Sequence, residues 1–363
     1  MAEKVLVTGG FGLVGSQTVR ALAADGHRVV ATDLGNAAQR KAAKSLPAGV
    51  EARWADLTDR GEVGRLIAET SPTVIIHLAA VIPPVIYRQP ELARRVNVDA
   101  TVALLNAARS CAHPPRFIQA SSNAVHGSRN PHRHHALLRE DTPVRPSDLY
   151  GAHKAEVEDH VRSSGLQWVI LRLAGVMSVE PGAMPFSLDA LFFESALPTD
   201  GRMHSIDVRD AAAAFSAATA APAANVVGEI LLIGGDGSHL LRQGDVGKAL
   251  AAARGLTNVL PGGRPGAPQS DADWFVTDWM DTARSQRLLS FQQHSWPDML
   301  AEMRALAGWR RYPMQLAAPL ARLVLKRRAA YRNAPGRYAR PWSAIRSEMG
   351  EPLSDLSDRA PVS

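Results

Sequence analysis

The fold is decided by residues 8–15, which read TGGFGLVG and link a short apolar strand at Lys4–Thr8 to an Ala-rich helix. Gly9 permits the tight turn, Gly12 lets a pyrophosphate approach the backbone, and Gly15 lets the helix pack on the strand. The free N–H groups and the positive end of the helix dipole then face the phosphates. A plain glycine-rich turn is the alternative. We predict a dinucleotide site with contacts from Gly9, Phe11, Gly12, Leu13 and Gly15.

Downstream of this loop, short runs rich in Val, Ile and Leu alternate with longer Ala-rich segments. The runs predict buried strands at Lys4–Thr8, Arg28–Asp33, Val50–Ala55, Thr73–Ala79, Arg116–Ser121 and Gln167–Leu171. Helices are predicted near Leu13–Asp25, Asp59–Thr70, Glu91–Ser110 and Asp148–Ser164. This alternation implies right-handed βαβ units, so we expect an α/β protein with a doubly wound parallel sheet of the Rossmann type.

Beyond residue 173 the pattern loosens and becomes rich in Gly and Pro. Further elements are predicted at Asp210–Thr219 (helix), Glu229–Ile233 (strand) and Gln243–Arg254 (helix). Such a part usually covers the carboxyl ends of the strands, where α/β sheets bind ligands. We therefore expect a dinucleotide-binding domain at 1–173 and a smaller, discontinuous substrate-binding part at 174–310 that returns strands to the sheet. A basic tail follows at 311–363, partly disordered, because Pro335–Ser363 is polar and contains Pro.

Asp33, at the end of the second predicted strand, selects the cofactor. A carboxylate there accepts from the ribose 2′-hydroxyl and repels a 2′-phosphate. Two unit charges ~4 Å apart at an effective dielectric of ~20 interact with ~4 kcal/mol, so NAD is favoured over NADP. Arg40 and Lys41 lie close in sequence and could soften this repulsion, or they could form a solvated helix face.

The ends of the next two strands carry further candidates for cofactor contact. Asp56, followed by Leu57, ends the third strand and could accept from an adenine amino group; its alternative role is a helix N-cap, for which Asp59 is better placed. The fourth strand ends in His77 and the small or apolar residues Leu78, Ala79 and Ala80, which permit close backbone approach. We interpret His77 as a buried histidine with satisfied hydrogen bonds.

Tyr150 and Lys154 lie at i and i+4 of a predicted helix and therefore share one face. A cation there stabilises a phenolate, whose pKa near 10 must fall by ~3 units for acid–base work near neutrality. Ser121 and Ser122 end the fifth strand, where a hydroxyl could bind a substrate oxygen or form a local turn.

These residues together resemble the extended short-chain dehydrogenase/reductase family, also called the NAD-dependent epimerase/dehydratase family, over roughly residues 3–310. The resemblance rests on TGGFGLVG, Asp33, Asp56-Leu57, HLAA, Asn97 in NVDAT, SSNAVHG and YGAHK. It implies Ser122 as the catalytic serine, with Ser121 second, Tyr150 as the acid/base, and Lys154 as the residue that holds the nicotinamide ribose and lowers the pKa of Tyr150. It also implies cofactor contacts from Tyr150, Lys154, Asn97, Ala174 and Val176.

Two positions depart from the sugar-nucleotide members of this family. Those enzymes usually carry Asn where this chain has Gly175, and Arg where it has Met203, beside Arg202. The departures weaken the prediction of a diphosphate clamp. The stretch Met184–Pro198 is apolar, which fits either an apolar substrate pocket or core packing.

The resemblance implies an NAD-dependent oxidoreductase that moves a hydride between nicotinamide and an alcohol or carbonyl substrate. One alternative is a nucleotide-sugar 4-epimerase or dehydratase that keeps its NAD bound. A second is an NAD-binding scaffold or sensor without turnover. Many relatives form dimers, so a homodimer is expected; no metal is expected.

Composition excludes several other classes. The 363 residues are 46% hydrophobic and 21% charged, which excludes disorder of the whole chain, and no apolar run reaches the ~20 residues of a membrane-spanning helix. The single cysteine, Cys111, and an N-terminus without a signal-peptide pattern favour a cytoplasmic protein. Eleven Lys/Arg and no acid lie between Arg304 and Arg346, so the remainder of this +6 chain carries −5, which argues against nucleic-acid binding.

The basic segment also carries an apolar stripe at helical spacing: Leu316, Leu320, Leu323 and Val324, with Pro319 expected in the first turn. A basic amphipathic helix can lie on an anionic membrane, here the inner face, or dock on an acidic protein. The alternative is a helix packed on the acidic body of this same protein. His132, His134 and His135 lie among arginines and are interpreted as a solvated loop at the mouth of the site.

Overall fold

The computed structural model of the protein describes residues 2–183, 187–332 and 334–353, with positions 316, 317, 321 and 324 described by their backbone alone. Ten strands lie at Lys4–Thr8 (β1), Arg28–Asp33 (β2), Glu51–Trp54 (β3), Val74–His77 (β4), Arg116–Ser122 (β5), Trp168–Leu173 (β6), Gly175–Met177 (β7), Arg202–Asp207 (β8), Glu229–Ile233 (β9) and Leu240–Arg242 (β10). Seven of them form one parallel sheet in the order β3-β2-β1-β4-β5-β6-β9. The expected doubly wound α/β fold is therefore confirmed.

The helices of the first half alternate with the strands of this sheet. They are Leu13–Ala24 (α1), Ala37–Ala43 (α2), Arg60–Thr70 (α3), Val85–Arg88 (α4), Pro90–Arg94 (α5), Ala100–Arg109 (α6) and Leu149–Arg162 (α7). Asp59 caps α3 by accepting from the N–H groups of Gly61 and Glu62, and Asp148 caps α7 by accepting from that of Gly151. Both helices therefore begin at the positions that these aspartates indicated in the sequence.

The second half contributes mainly helices. They are Leu188–Ala196 (α8), Val208–Ala220 (α9), Ala223–Val226 (α10), Gln243–Ala253 (α11), Ala283–Leu289 (α12), Trp296–Ala307 (α13), Arg311–Lys326 (α14) and Pro341–Met349 (α15). A small sheet in the order β10-β8-β7 stands apart from the main one, while β9 joins the main sheet beside β6. No helix in the described part of the chain is long and apolar enough to cross a membrane.

Two apolar clusters hold the main sheet between its helical layers. One contains Val5, Val7 and Phe215, and the other contains Leu6, Leu104 and Val157. Adjacent strand residues enter opposite clusters because side chains alternate across a strand. The carboxyl ends of the strands are left for ligands, as the loop at residues 8–15 requires.

The tail differs from the expectation in two ways. Pro335–Ser363 was expected to be poorly ordered, yet α15 lies there and buries Trp342, Ile345 and Met349 in a cluster with Tyr87. The burial of these residues could not be predicted from the local sequence, because the residues that they contact lie far upstream in the chain. Residues 354–363, and residues 184–186 of the apolar stretch, lie outside the described residues.

Pro319 lies inside α14 and not in its first turn, because the helix already begins at Arg311. Leu320 and Leu323 are exposed, so these two side chains are not packed on the protein's own body. The side chains of Leu316 and Val324 lie outside the described ones.

Candidate active site

The glycine loop closes tightly between β1 and α1. Gly9 has φ +64°, and a Cβ there would lie 2.8 Å from the backbone nitrogen of Ala79. A Cβ at Gly15 would collide with the Gly9 carbonyl oxygen. No side chain caps α1 at Gly12, so its first N–H groups face the loop without a side-chain partner. These residues fit a pyrophosphate, which accepts hydrogen bonds from such N–H groups.

Asp33 ends β2 at the same edge of the sheet. Its Oδ1 accepts from the Leu34 N–H at 2.9 Å, and the side chain is only partly buried. Arg40 contacts the neighbouring residues: its Nε donates to the Gly35 carbonyl at 2.7 Å, and its guanidinium lies 5.0 Å from the centre of a ring of Trp54, the β3 residue that pairs with Asp33. Arg40 is exposed, so both interpretations of this residue, a counter-charge near Asp33 and a solvated helix face, stay open.

Phe11 and Trp54 face each other across the loop, with ring centroids 5.1 Å apart. Asp56 forms hydrogen bonds within the loop that follows β3: its Oδ1 accepts from the N–H and the hydroxyl of Thr58. Leu57 is buried in the core. Asp56 remains exposed at the strand end, so its predicted contact with adenine stays a prediction.

His77 is buried and bonded at both ring nitrogens, to Thr8 at 2.6 Å and to Thr101 at 2.9 Å. Burial, with a smaller effect of the Lys154 charge, lowers its pKa to about 3. A neutral, fully bonded imidazole matches the structural role inferred for it. Leu78, Ala79 and Ala80 follow half-buried, with Ala79 against Gly9.

Asn97 lies in a π-helical turn, Arg95–Asp99, between α5 and α6, where one continuous helix was predicted. Its side chain accepts from the Val81 N–H at 2.7 Å and donates to the Val81 carbonyl at 2.9 Å. Both amide groups are used in this way, so Asn97 fixes the loop after β4. Its predicted contact with the cofactor stays a prediction.

The two serines that end β5 have different partners. The Ser121 hydroxyl donates to Oε1 of buried Glu158 at 2.5 Å. The Ser122 hydroxyl accepts from the Ala124 N–H at 3.2 Å and lies close enough to the Tyr150 phenol to lower its pKa. Ser122 therefore lies beside Tyr150, whereas Ser121, the second choice, is bonded to Glu158 two turns further along α7.

Lys154 stands one turn below Tyr150 on α7. Its ammonium donates to the Ala120 carbonyl at 2.8 Å and lies 5.7 Å from the centre of the Tyr150 ring. Burial lowers the pKa of Lys154 to about 8, against an opposing effect of Glu158.

Tyr150 differs from the expectation. Burial, followed by the charge of Asp148, raises its pKa above 10, and only the hydrogen bond with Ser122 lowers it. Burial and Asp148 therefore outweigh the lowering effects in the protein alone, although the Lys154 ammonium lies 5.7 Å from the centre of the Tyr150 ring. The predicted lowering by Lys154 stays a prediction.

A buried ion pair behind Lys154 was not identified from the sequence. Arg172 on β6 binds Glu158 on α7, with Nη2 donating to Oε2 at 2.6 Å and Nε to Oε1 at 2.9 Å. His126 lies 3.3 Å from Arg172. Glu158 lies one further turn along the face that carries Tyr150 and Lys154, and this spacing was the available signal.

The start of α7 is also held by two elements distant in sequence. The Tyr87 hydroxyl donates to Oδ2 of Asp148 at 2.8 Å, and the Leu149 N–H donates to the Pro352 carbonyl at 2.8 Å. Burial raises the pKa of Asp148 to about 6. The position of Tyr150 thus depends on the C-terminal segment.

The segment after β6 carries the departures noted in the sequence. Ala174 is buried and donates to the Ile233 carbonyl at 2.8 Å, and Val176 is half-buried in β7. A Cβ at Gly175 would lie 2.6 Å from Cε of Met203, so the methionine methyl fills the space beside this glycine.

Arg202 does not replace the missing arginine of a diphosphate clamp. It is buried, lies 3.5 Å from Asp278, donates to the His134 carbonyl at 3.1 Å, and has its guanidinium 4.7 Å from the centre of a Trp279 ring. Its charge is thus used inside the protein. The loop at 132–135 is fixed by these contacts and by His132, which binds Asp200.

The fold and this site define a dinucleotide-binding protein of the doubly wound class. Residues 5–234 match the NAD dependent epimerase/dehydratase family, and the chain belongs to that family. It is 34% identical to D-erythronate dehydrogenase of Cupriavidus necator, over 49% of this chain and 56% of that protein. It is 32% identical to UDP-glucose 4-epimerase 4 of Oryza sativa subsp. japonica, over 52% of this chain and 55% of that one. The chain therefore spans about half the length of these curated relatives.

Solved structures resemble a larger part of the molecule. A short-chain dehydrogenase/reductase superfamily protein from Agrobacterium tumefaciens, solved with bound NAD, gives a TM-score of 0.65 at 25% identity, over 87% of this chain and 99% of that one. UDP-glucose 4-epimerase from Thermus thermophilus gives 0.65 at 24% identity, over 84% and 98%, and shares the fold.

Proposed function

We propose that this protein is an NAD-dependent oxidoreductase acting on an alcohol or carbonyl compound. The observation that carries the proposal is the position of Ser122, at the carboxyl end of β5, beside the start of α7, which carries Tyr150 and, one turn further on, Lys154. The backbones are in contact there, because a Cβ at Gly151 would collide with the Ala124 carbonyl. Family membership and an NAD-bound neighbour at 25% identity support the cofactor.

In this proposal NAD accepts or supplies the hydride when bound. Tyr150 exchanges a proton with the substrate oxygen, and Ser122 donates a hydrogen bond to that oxygen and orients it. Lys154 holds positive charge beneath the phenol below pH 8. Because the protein alone raises the pKa of Tyr150, its ionisation requires further positive charge, which an oxidised nicotinamide carries.

A nucleotide-sugar 4-epimerase or dehydratase is the second candidate, since several relatives are UDP-glucose 4-epimerases. Two observations favour the oxidoreductase. The Met203 methyl fills the space beside Gly175, and Arg202 is paired with Asp278. Neither position supplies a free cation or amide for a diphosphate. An NAD-binding scaffold without turnover is the third candidate.

The test combines cofactor binding and turnover. We expect NAD to raise the melting temperature more than NADP does, and added NAD to be reduced with one member of a panel of alcohols and hydroxy acids. Tyr150→Phe should lower that turnover by at least ~100-fold and retain the NAD-induced shift, since it removes the exchanged proton but no phosphate contact.

Each alternative has its own outcome. Purification with tightly held NAD, and conversion of a UDP-sugar without added cofactor, would identify the epimerase. An NAD-induced shift without turnover on either panel would identify the scaffold. Turnover equal in wild type and Tyr150→Phe would refute the mechanism.

Two partner predictions accompany this proposal. We propose a homodimer, to be tested by sedimentation velocity, on the basis of the family alone. We also propose that the tail at 311–353 contacts a membrane or a protein, because α14 exposes apolar and basic side chains together.

A further inference from the structure

Helix α14 turns its apolar side chains outward. Ala318 and Leu325 are buried against the protein, at 9% and 8% exposure, whereas Leu320 and Leu323 are 69% and 56% exposed. At 100° per residue the exposed pair lies opposite the buried pair on the helix. A helix of a single folded chain ordinarily buries its larger apolar residues, so this outward stripe requires a partner.

The helix is fixed at both ends to the body. At its start, a Cβ on Gly255 would collide with the Arg311 carbonyl, so the two backbones are in contact. After its end, the Ala330 N–H donates to the Ser195 hydroxyl at 3.0 Å, and the Tyr331 hydroxyl donates to the Ala196 carbonyl at 2.7 Å. The 16 residues of α14 therefore lie along the surface over about 24 Å.

Positive charge flanks the apolar stripe. Arg322, Lys326, Arg327 and Arg328 are exposed, and no acidic residue occurs in the sequence from Arg304 to Arg346. Two copies of α14 packed face to face would bring like charges together, which disfavours a second copy of this chain as the partner. The partner must therefore be anionic.

The aromatic residues distinguish an anionic membrane from an acidic protein. Trp309 and Tyr312 are 74% and 56% exposed at the beginning of the helix. Exposed Trp and Tyr beside leucines and flanking cations form the pattern of helices that lie in a membrane interface. Both side chains stand at the surface, where they are accessible to a bilayer.

We propose that α14 docks the protein on an anionic lipid bilayer, with Leu320 and Leu323 at the level of the acyl-chain boundary and the cations among the headgroups. The proposal does not depend on the oxidoreductase function, and its failure would leave that function intact. Docking in this manner is peripheral and reversible, because one short helix buries little apolar area.

The test is sedimentation of the full chain with vesicles of pure phosphatidylcholine and vesicles with ~30% phosphatidylglycerol. We expect binding to the anionic vesicles alone. Salt at about 0.5 M should weaken this binding, because it screens the attraction between the cations of α14 and the anionic headgroups. Leu320→Glu combined with Leu323→Glu should lower the partition coefficient by at least about tenfold. Leu137→Glu combined with Leu288→Glu is the matched control, since those leucines are 38% and 36% exposed elsewhere, and should bind as wild type.

Circular dichroism and melting of both double variants establish that each is folded. Failure of wild type to bind the anionic vesicles would overturn the proposal, as would equal loss in the two double variants. A dimer that dissociates only in the Leu320/Leu323 variant, without vesicle binding, would assign the face to a second copy. Capture of an acidic protein in place of vesicles would assign it to a protein partner.

Discussion

Ser121 and Ser122 have different partners on α7: Ser121 donates to Glu158, and Ser122 lies beside Tyr150. The sequence predicts that a serine ends this strand near the candidate site, and the resemblance ranks Ser122 first. The separation of the two hydroxyls depends on Glu158, 37 residues away from Ser121, and on the contact with Tyr150. Local pattern carries no information on either distance.

The paired serines give a first prediction. Ser121→Ala leaves Glu158 with one hydrogen bond fewer in a buried place, so we expect a loss of ~1.5–3 kcal/mol in the free energy of unfolding and turnover close to wild type. Ser122→Ala removes the hydroxyl beside Tyr150, so turnover should fall by ~10²-fold with a stability loss below ~1 kcal/mol. Urea unfolding and initial rates test both; the reverse pattern would assign the catalytic hydroxyl to Ser121.

Asp148 lies close enough to Tyr150 for its charge to affect the phenol. Its charge raises the pKa of Tyr150, so Asp148→Asn should lower that pKa while Asn still caps α7. In alcohol oxidation Tyr150 acts as base, and the rate rises as it ionises. We therefore expect the rising limb of the kcat/KM profile to move to lower pH. An unchanged limb would show that another group controls the pH dependence.

Elements built from local contacts follow the sequence closely. The β1–α1 unit matches its predicted ends to within one residue at Ala24, because strand, turn and helix signals are all contiguous there. The π-helical turn at Arg95–Asp99 could not be predicted, since it accompanies the bonds of Asn97 to Val81. Helix α15 was missed because Trp342 packs beside Phe275, whose place is set by the fold.

Substitutions at Gly15 and Gly64 test whether the loop at residues 8–15 binds the cofactor. A Cβ at Gly15 would meet the Gly9 carbonyl, so Gly15→Ala should abolish the melting shift caused by NAD. Gly64 in α3 is the matched control: nothing lies within 4 Å of its Cβ position, and Ala there should stabilise the fold by ~0.5–1 kcal/mol. Calorimetry with and without NAD measures both. Retention of NAD binding in Gly15→Ala would place the pyrophosphate elsewhere.

Charge is distributed unevenly along the chain: residues 304–346 are basic, and the remaining residues carry a net charge of −5. Net charge was readable from the sequence, and the outward direction of Leu320 was not, because it depends on how α14 is fixed at Gly255 and Ser195. A second electrostatic feature is the low pKa of several buried histidines. Desolvation lowers the pKa of four buried histidines: His77 to about 3, and His126, His153 and His204 to about 4.

These histidines predict acid unfolding. Their folded pKa values lie below the unfolded value near 6.5, so between pH 6.5 and 4 the unfolded chain binds more protons and stability falls as pH falls. Asp148 and Glu194, raised to about 6 and about 7, act in the opposite direction. At ~1.36 kcal/mol per pKa unit the histidines prevail, with a net loss on the order of 5 kcal/mol between pH 7 and 4. Urea midpoints at pH 7, 5.5 and 4.5 measure it: His204→Gln should lose less stability on acidification, by up to ~3 kcal/mol, and exposed His135→Gln should follow wild type. Equal midpoints at pH 7 and 4.5 would show that the buried imidazoles do not govern stability. If they stay neutral in the folded protein, the unfolded chain binds more protons as the pH falls, and the midpoint must decrease.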